Sequence, residues 1–94
     1  MYFVYIIYSL KLDNYYVGTT DNVEKRLQKH NLKVYADSFT CKGIPWELRF
    51  SYLCDKSETA YKLERFIKRM KSRKFILKII EDKTILDDIC EKKL

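Results

Sequence analysis

The chain has 94 residues, three cysteines and a formal net charge of +6. This length suits one domain, which we place over residues 1–94, with a single hydrophobic core. The odd number of cysteines, without ligand-like spacing, argues against a disulfide framework and favours reduced thiols in a cytoplasmic protein. The apolar N-terminal run lacks the basic segment and cleavage site of a signal peptide, and no stretch approaches the roughly 20 apolar residues of a membrane span.

The first third of the chain predicts a hairpin followed by a helix. Residues 2–9 are β-branched and aromatic on both alternating faces, which is typical of a central strand. A short polar loop leads to a second, antiparallel strand over residues 15–19. Asp21 is the expected N-cap of a helix over residues 22–30, and Asn31 is its expected left-handed cap.

The rest of the chain predicts one more strand and three helices. Residues 33–45 are irregular, and Trp46 to Leu53 then alternate as a half-exposed strand with Trp46 and Phe50 on one side. Three helices follow, capped by Ser57, Ser72 and Thr84. The first of them runs to Met70 and carries this apolar stripe: Ala60, Leu63, Phe66, Ile67 and Met70. The order ββαβαα(α) predicts an α+β fold, a small three-stranded antiparallel sheet flanked by helices.

Positive charge is concentrated in one segment. Residues 55–80 carry nine basic and three acidic side chains, whereas residues 81–94 carry three basic and five acidic ones. A local excess of this kind is typical of a polyanion-binding face, and a solvated helix that aids solubility is the alternative. The side chains expected to follow a nucleic-acid backbone are Lys62, Arg65, Lys68, Arg69, Lys71, Arg73 and Lys74. They offer charge without a geometry that reads bases.

Arg26 and His30 are the first candidates for a functional site. They are four residues apart, so they lie one turn from each other on the helix face that also carries Val23 and Leu27. An Arg and a His held beside a Tyr-rich strand and a Gly turn indicate a site. An ordinary β-turn-α unit with solvated helix ends is the alternative.

Several segments, in this order and spacing, resemble the GIY-YIG nuclease superfamily. They are VYI at 4–6, YVG at 16–18, the helix end RLQKHN, KGIPWEL before the third strand, and AYKLERFIKRMKSRKFI. The resemblance is greatest to the small stand-alone bacterial members related to the N-terminal nuclease module of the excinuclease C subunit. Val4 replaces the Gly of the family name, and the polar Asn that some relatives use after the glutamate has no clear match.

The resemblance implies a metal-dependent endonuclease that hydrolyses phosphodiester bonds in DNA, in repair or recombination. It makes Tyr5 and Tyr16 catalytic, one activating the attacking water and the other contacting phosphate or metal. A cation at about 4 Å can lower a tyrosine pKa by about three units, which would suffice for a base. Core packing is the alternative for both tyrosines. Arg26 would neutralise charge on the phosphoryl oxygens, and His30 would pass a proton or orient the phosphate.

Glu64 is the metal ligand that the resemblance implies. The helical pattern independently places it at the border of the apolar stripe, where a carboxylate is partly shielded from water. The alternative is a plain Glu64–Lys68 helix pair of small energetic value. One carboxylate suits Mg²⁺ or Mn²⁺, which retain several waters and complete their coordination with substrate phosphate, so we expect weak binding without substrate.

Two other functions remain open from the sequence. One is a nucleic-acid-binding module on the same fold with little or no catalysis, and the other is an interaction protein whose basic helix binds an acidic partner. The joint presence of two tyrosines, Arg26, His30 and Glu64 favours the enzyme, because binding alone does not need a border carboxylate among cations. DNA is favoured over RNA, no membrane partner is expected, and a protein partner that supplies specificity remains open.

Overall fold

The computed structural model describes residues 1–32 and 39–94 and shows a three-stranded antiparallel sheet with four α-helices. The strands are β1 (Tyr2–Ser9), β2 (Asn14–Thr20) and β3 (Trp46–Cys54), and the helices are α1 (Val23–Asn31), α2 (Ser57–Met70), α3 (Arg73–Glu81) and α4 (Thr84–Lys92). The predicted α+β fold is therefore confirmed. Within the two described ranges, no helix is long and apolar enough to cross a bilayer.

β1 is the central strand, as its two apolar faces predicted, and the sheet order is β2-β1-β3. Its side chains alternate between two clusters. Val4 and Ile6 pack against the helices α2, α3 and α4, which bury their own apolar stripes there. Tyr5 and Ile7 face the opposite side, where they pack with Trp46 and α1. One strand therefore serves both the main core and the face that carries α1.

The segment before β3 differs in part from the prediction. Residues 33–38 of the expected irregular stretch lie outside the described residues. Phe39–Gly43 forms a short 3-10 helix rather than irregular chain. The carbonyl of Gly43 accepts a hydrogen bond of 2.7 Å from the buried hydroxyl of Ser9, which ties this helix to the end of β1.

The predicted alternation of β3 is wrong at its centre. Ile6 pairs with Phe50 and Ile7 pairs with Leu48, so Arg49 is an extra residue in a bulge. Because a shift of one residue exchanges the two faces of a strand, Trp46 packs on the α1 side while Phe50 packs on the opposite side. A period-two pattern cannot show such a bulge.

Both predicted caps of α1 are corrected by the structure. The N-cap is Asn22 rather than Asp21, and its side chain accepts a hydrogen bond of 3.0 Å from the backbone N–H of Lys25. Asp and Asn are equally good caps, so two adjacent candidates could not be separated by pattern. Asn31 is the last helical residue rather than a left-handed cap, and Leu32 follows it with φ of −97°.

Of the other three predicted caps, only Ser72 is confirmed, where the hydroxyl accepts from the N–H of Phe75 at 3.1 Å. Ser57 and Thr84 are instead the first residues of α2 and α4. Thr84 is held by Asp82, whose carboxylate accepts from both its N–H and its hydroxyl.

The predicted stripe of α2 is buried except at its end. Ala60, Leu63 and Ile67 are buried, and Phe66 is partly buried against the same core. Met70 is 47% exposed, because α2 ends there and Lys71 takes a left-handed conformation with φ of 46°.

Candidate active site

A buried pair formed by Tyr5 and His30 lies at the centre of the candidate site. Tyr5 comes from the middle of β1 and His30 from the last turn of α1, and they are only 1% and 4% exposed. The Tyr5 hydroxyl and His30 Nε2 are 3.0 Å apart, which is a hydrogen bond. The helix face predicted for His30 therefore does point into the interior.

Gly18 makes room for this pair. It lies directly opposite Tyr5 in the β1–β2 ladder, and a Cβ at this position would be 2.5 Å from the Tyr5 hydroxyl. Because Tyr5 is only 1% exposed, a side chain at position 18 would have to displace a buried ring. Glycine within a strand often marks such a close approach, which is the signal that could have identified Gly18 from sequence.

Burial controls the protonation of both members of the pair. It raises the pKa of Tyr5 well above the usual value, and the nearby Tyr16 hydroxyl raises it further, whereas the Arg26 guanidinium lowers it without compensating. Burial, with a smaller contribution from Arg26, lowers the pKa of His30 to about 4. At neutral pH the phenol keeps its proton and the imidazole is neutral, so Tyr5 can donate to His30. At Tyr5 the desolvation of a buried phenolate therefore outweighs the effect of the Arg26 cation.

Tyr16 is the accessible tyrosine of the two. Its ring centroid lies 6.5 Å from that of Tyr5 and 5.4 Å from that of His30, with an edge-on contact to the imidazole. Tyr16 is half-buried and lines a cleft between β2 and the junction of α2 with α3. The two tyrosine rings thus lie side by side, but of the two only Tyr16 lines the cleft.

Arg26 lies one turn before His30 on α1 and is half-buried. Its guanidinium is close enough to Tyr5 and His30 to lower the pKa of each. It therefore places a fixed positive charge beside a pair of neutral groups.

Glu64 belongs to the same cluster. Its side chain is 22% exposed, and its carboxylate is one of the groups that raise the pKa of Tyr5. Glu64 Oε2 accepts a hydrogen bond of 2.7 Å from the ammonium of Lys68, one turn later on α2. The same ammonium lies 5.4 Å from the centroid of the Tyr16 ring. The Glu64–Lys68 helix pair, which was the alternative to a metal ligand from sequence, is thus present, and the same carboxylate lies close to Tyr5.

Only some of the predicted basic residues face the cleft. Lys68, Lys71 and Arg73 line it together with Tyr15 and Tyr16. Arg73 is also bound to the hairpin turn, since it contacts the Asp13 carboxylate at 2.7 Å and the Asp13 carbonyl at 3.0 Å. The guanidinium of Arg73 is thus a structural link as well as a charge in the cleft.

The remaining basic residues point elsewhere. At about 100° per residue, Lys62 and Arg69 lie roughly 120° and 100° around α2 from Lys68, and Arg65 lies roughly 60° from it. Lys62 pairs with Glu58 at 3.7 Å, and the Arg69 guanidinium lies 5.8 Å from the centroid of Phe66. Lys74 is exposed on α3. The seven residues therefore do not form one continuous face.

Asn31 and Trp46 hold the site in a way that the sequence did not reveal. The Asn31 side chain accepts from the Trp46 N–H at 2.7 Å and donates to the Trp46 carbonyl at 3.1 Å. The residue after His30 is thereby fixed to the start of β3. The buried Trp46 ring in turn contacts Tyr16, with 6.3 Å between centroids. In the sequence, an Asn at a helix end and a Trp at the start of a strand do not by themselves predict that the two residues are hydrogen-bonded.

The donor atoms fit a weakly held hard cation. The described residues contain no group of three or more His, Cys, Asp or Glu side chains that could hold a metal ion. Glu64 offers one partly shielded carboxylate, bonded to Lys68, which lines the cleft. Mg²⁺ and Mn²⁺ accept such a site, because they retain waters and use substrate oxygens as further ligands.

These features define a small α+β domain in which four elements bring together two tyrosines, a neutral histidine, an arginine and a carboxylate, with one of the tyrosines lining a basic cleft. The sequence profile of the GIY-YIG catalytic domain matches residues 1–81, from β1 to the end of α3. The chain belongs to the GIY-YIG family, a family of nucleases. No significant match was found among curated proteins or solved structures.

Proposed function

We propose that this protein is a metal-dependent endonuclease that hydrolyses phosphodiester bonds in DNA, with a role in repair or recombination. The observation that carries the proposal is that Arg26, His30 and Glu64 lie close to Tyr5, next to Tyr16, and that Tyr16 lines a basic cleft. A surface that only binds nucleic acid does not need a neutral Tyr–His pair beside a fixed cation and a carboxylate. In the proposed hydrolysis of a phosphodiester, each of these groups has a role.

In the proposed mechanism the two tyrosines have different tasks. Tyr16 is accessible from the cleft, so it contacts the attacking water or the phosphate. Tyr5 is buried and bonded to His30, so it positions the imidazole. Because both groups are neutral at neutral pH, this hydrogen bond orients the imidazole without burying a charge.

Arg26 supplies positive charge where the reacting phosphate acquires negative charge. A planar guanidinium matches two phosphoryl oxygens better than an ammonium does. Its half-buried position reduces screening by water, which strengthens its effect on the transition state.

Glu64 would hold the Mg²⁺ or Mn²⁺ ion. When bound, such an ion polarises the phosphate and stabilises the leaving oxygen. Lys68 and Lys71 would bind neighbouring phosphates of the strand. Because phosphate contacts carry no sequence information, a protein partner is the proposed source of any specificity.

The preference for DNA over RNA, the single domain over residues 1–94 and a cytoplasmic location belong to the same proposal. Cys41, Cys54 and Cys90 are free thiols, which suits a reducing compartment. A DNA substrate follows from the resemblance to the excinuclease module.

A second function is favoured by the contact between Glu64 and Lys68, which engages the carboxylate in an ion pair. In that case the domain binds nucleic acid without cutting it. A cleavage assay on single-stranded, duplex, flap and branched DNA and RNA, with Mg²⁺, Mn²⁺ or a chelator, separates the two. An endonuclease cuts at least one substrate, and only when the divalent ion is present. A binding module leaves every substrate intact but slows its migration in a native gel.

A further inference from the structure

Lys68 occupies an unusual position for a residue that only follows a nucleic-acid backbone. Its ammonium is bonded to Glu64 at 2.7 Å and lies 5.4 Å from the Tyr16 ring centroid. Both neighbours belong to the proposed active site. The ammonium of Lys68 is therefore bonded to the carboxylate of Glu64, which in the proposed function binds the divalent cation.

Two cations cannot share this carboxylate at low cost. A lysine ammonium at hydrogen-bond distance occupies one carboxylate oxygen, and its charge repels a second cation bound to the same group. The lysine side chain is long and 47% exposed, so it can leave Glu64 without unfolding α2. Cation binding at Glu64 and the Glu64–Lys68 bond thus oppose each other.

We infer that Lys68 competes with the divalent cation for Glu64 and makes cation binding depend on nucleic acid; this inference rests on the proposed function. A phosphate that enters the cleft offers the ammonium of Lys68 a new anionic partner, since Lys68 lines that cleft beside Lys71. When Lys68 leaves Glu64, the free carboxylate binds the divalent cation more tightly. The bound cation in turn strengthens the binding of phosphate. By linkage, each ligand raises the affinity for the other by the same factor.

The coupling has a use in a nuclease. A cation held permanently beside Tyr16 would leave the site ready to act on any phosphodiester that drifts into it. A lysine that must first be drawn away restricts assembly of the site to a bound strand. Lys68 is then a positioning residue that controls when the site is complete.

The test measures Mn²⁺ binding without nucleic acid, from the free Mn²⁺ signal in electron paramagnetic resonance. The variants are K68M, which keeps most of the aliphatic chain beside Tyr16, and E64Q. The control is K92M, which removes the same charge from another i,i+4 pair, Lys92–Asp88 at 3.0 Å on α4. Melting curves check that each variant is folded.

We expect K68M to bind Mn²⁺ about two- to fivefold more tightly than the parent, the range that a partly exposed ion pair can contribute. K92M should match the parent, and E64Q should lose the site. Adding a non-cleavable phosphorothioate duplex should raise the Mn²⁺ affinity of the parent more than that of K68M.

Equal Mn²⁺ affinity in K68M and K92M, with loss of binding in E64Q, overturns this inference and leaves the proposed function standing. Equal affinity in E64Q and the parent shows that the cation is held elsewhere, which contradicts the metal assignment of the proposed function as well. Absence of binding in every protein, K68M included, also overturns the inference.

Discussion

At the scale of single residues, the site depends on Gly18 as much as on the side chains that bear the chemistry. The Tyr5 ring lies where a side chain at position 18 would be, and this contact lets the Tyr5 hydroxyl reach His30. The glycine of the YVG segment is therefore required because a larger residue would collide with Tyr5, and not because the backbone turns there.

Replacing Gly18 with Ala should displace Tyr5. The new Cβ would lie 2.5 Å from the Tyr5 hydroxyl, far inside contact distance. We expect a loss of about 1–3 kcal/mol in the free energy of unfolding, and a lower cleavage rate per folded molecule. Chemical denaturation and a cleavage assay measure the two effects. A G18A protein with the parent's stability and rate would show that Tyr5 does not need its observed position.

His30 should make the protein sensitive to mild acid. Its pKa is lowered from 6.5 to about 4 in the folded protein, so the unfolded chain binds this proton more strongly. The contribution of neutral His30 to the free energy of unfolding is fully present above pH 6.5 and is lost as the pH falls towards 4. We expect this loss to amount to about 2–3 kcal/mol.

The measurement is the free energy of unfolding of the parent and of H30Q at several pH values between about 7 and 4. The parent should lose stability across this range, and H30Q should lose distinctly less because glutamine does not titrate. Parallel pH profiles for the two proteins would contradict the assignment of a neutral, buried His30.

At the scale of elements, the end of α1 is positioned by Asn31. Its side chain bonds both the N–H and the carbonyl of Trp46, which is 3% exposed. N31D keeps the size and the acceptor for the N–H but places a carboxylate oxygen against the carbonyl. We expect a loss of about 1–3 kcal/mol in the free energy of unfolding. We also expect a reduced cleavage rate, because Asn31 fixes the end of α1, which carries His30, to β3. An N31D protein that melts like the parent would show that the clamp is dispensable.

The two sides of α2 should differ in their effect on nucleic-acid binding. Lys71, which directly follows α2, lines the cleft, whereas Arg69 does not line it and lies over the Phe66 ring. K71Q should weaken binding and reduce the magnitude of the slope of log K against log salt by about one. R69Q, which removes the same charge, should change neither. Equal effects of the two substitutions would mean that the whole basic segment binds as a diffuse cloud of charge.

The elements themselves could largely be predicted from sequence, because their signals are local. The two apolar faces of residues 2–9 require a covered strand, and the spacing of Arg26 and His30 fixes their shared face. The bulge at Arg49 and the choice of Asn22 over Asp21 could not be predicted, since a bulge leaves the composition unchanged and both side chains can cap. The protonation of Tyr5 also lay beyond the sequence, because burial of its hydroxyl depends on contacts between distant segments.

At the scale of the whole molecule, the two faces of the sheet have different roles, since one packs the main core and the other carries most of the candidate site. One face of β1 supplies Val4 and Ile6 to the main core, while the other presents Tyr5 to α1. Because β2 is an edge strand, Lys68 of α2 reaches Tyr16 although α2 packs on the opposite face. The site is thus assembled around the edge of the sheet by elements from both of its faces.

The central claim is that Glu64 is needed for cutting rather than for folding or binding. E64Q keeps the size of the side chain and removes the negative charge that a hard cation requires. The matched control is E58Q, which alters another acidic member of an i,i+4 pair on the same helix, 3.7 Å from Lys62 and far more exposed.

The decisive measurement is the single-turnover cleavage rate of the parent, E64Q and E58Q in Mg²⁺ and in Mn²⁺, on the substrate that the parent cuts best. We expect E64Q to fall to the background rate while its nucleic-acid affinity stays equal or rises slightly, because one charge that repels phosphate is gone. E58Q should cut like the parent. An E64Q protein that cuts at a rate close to that of the parent would contradict the account.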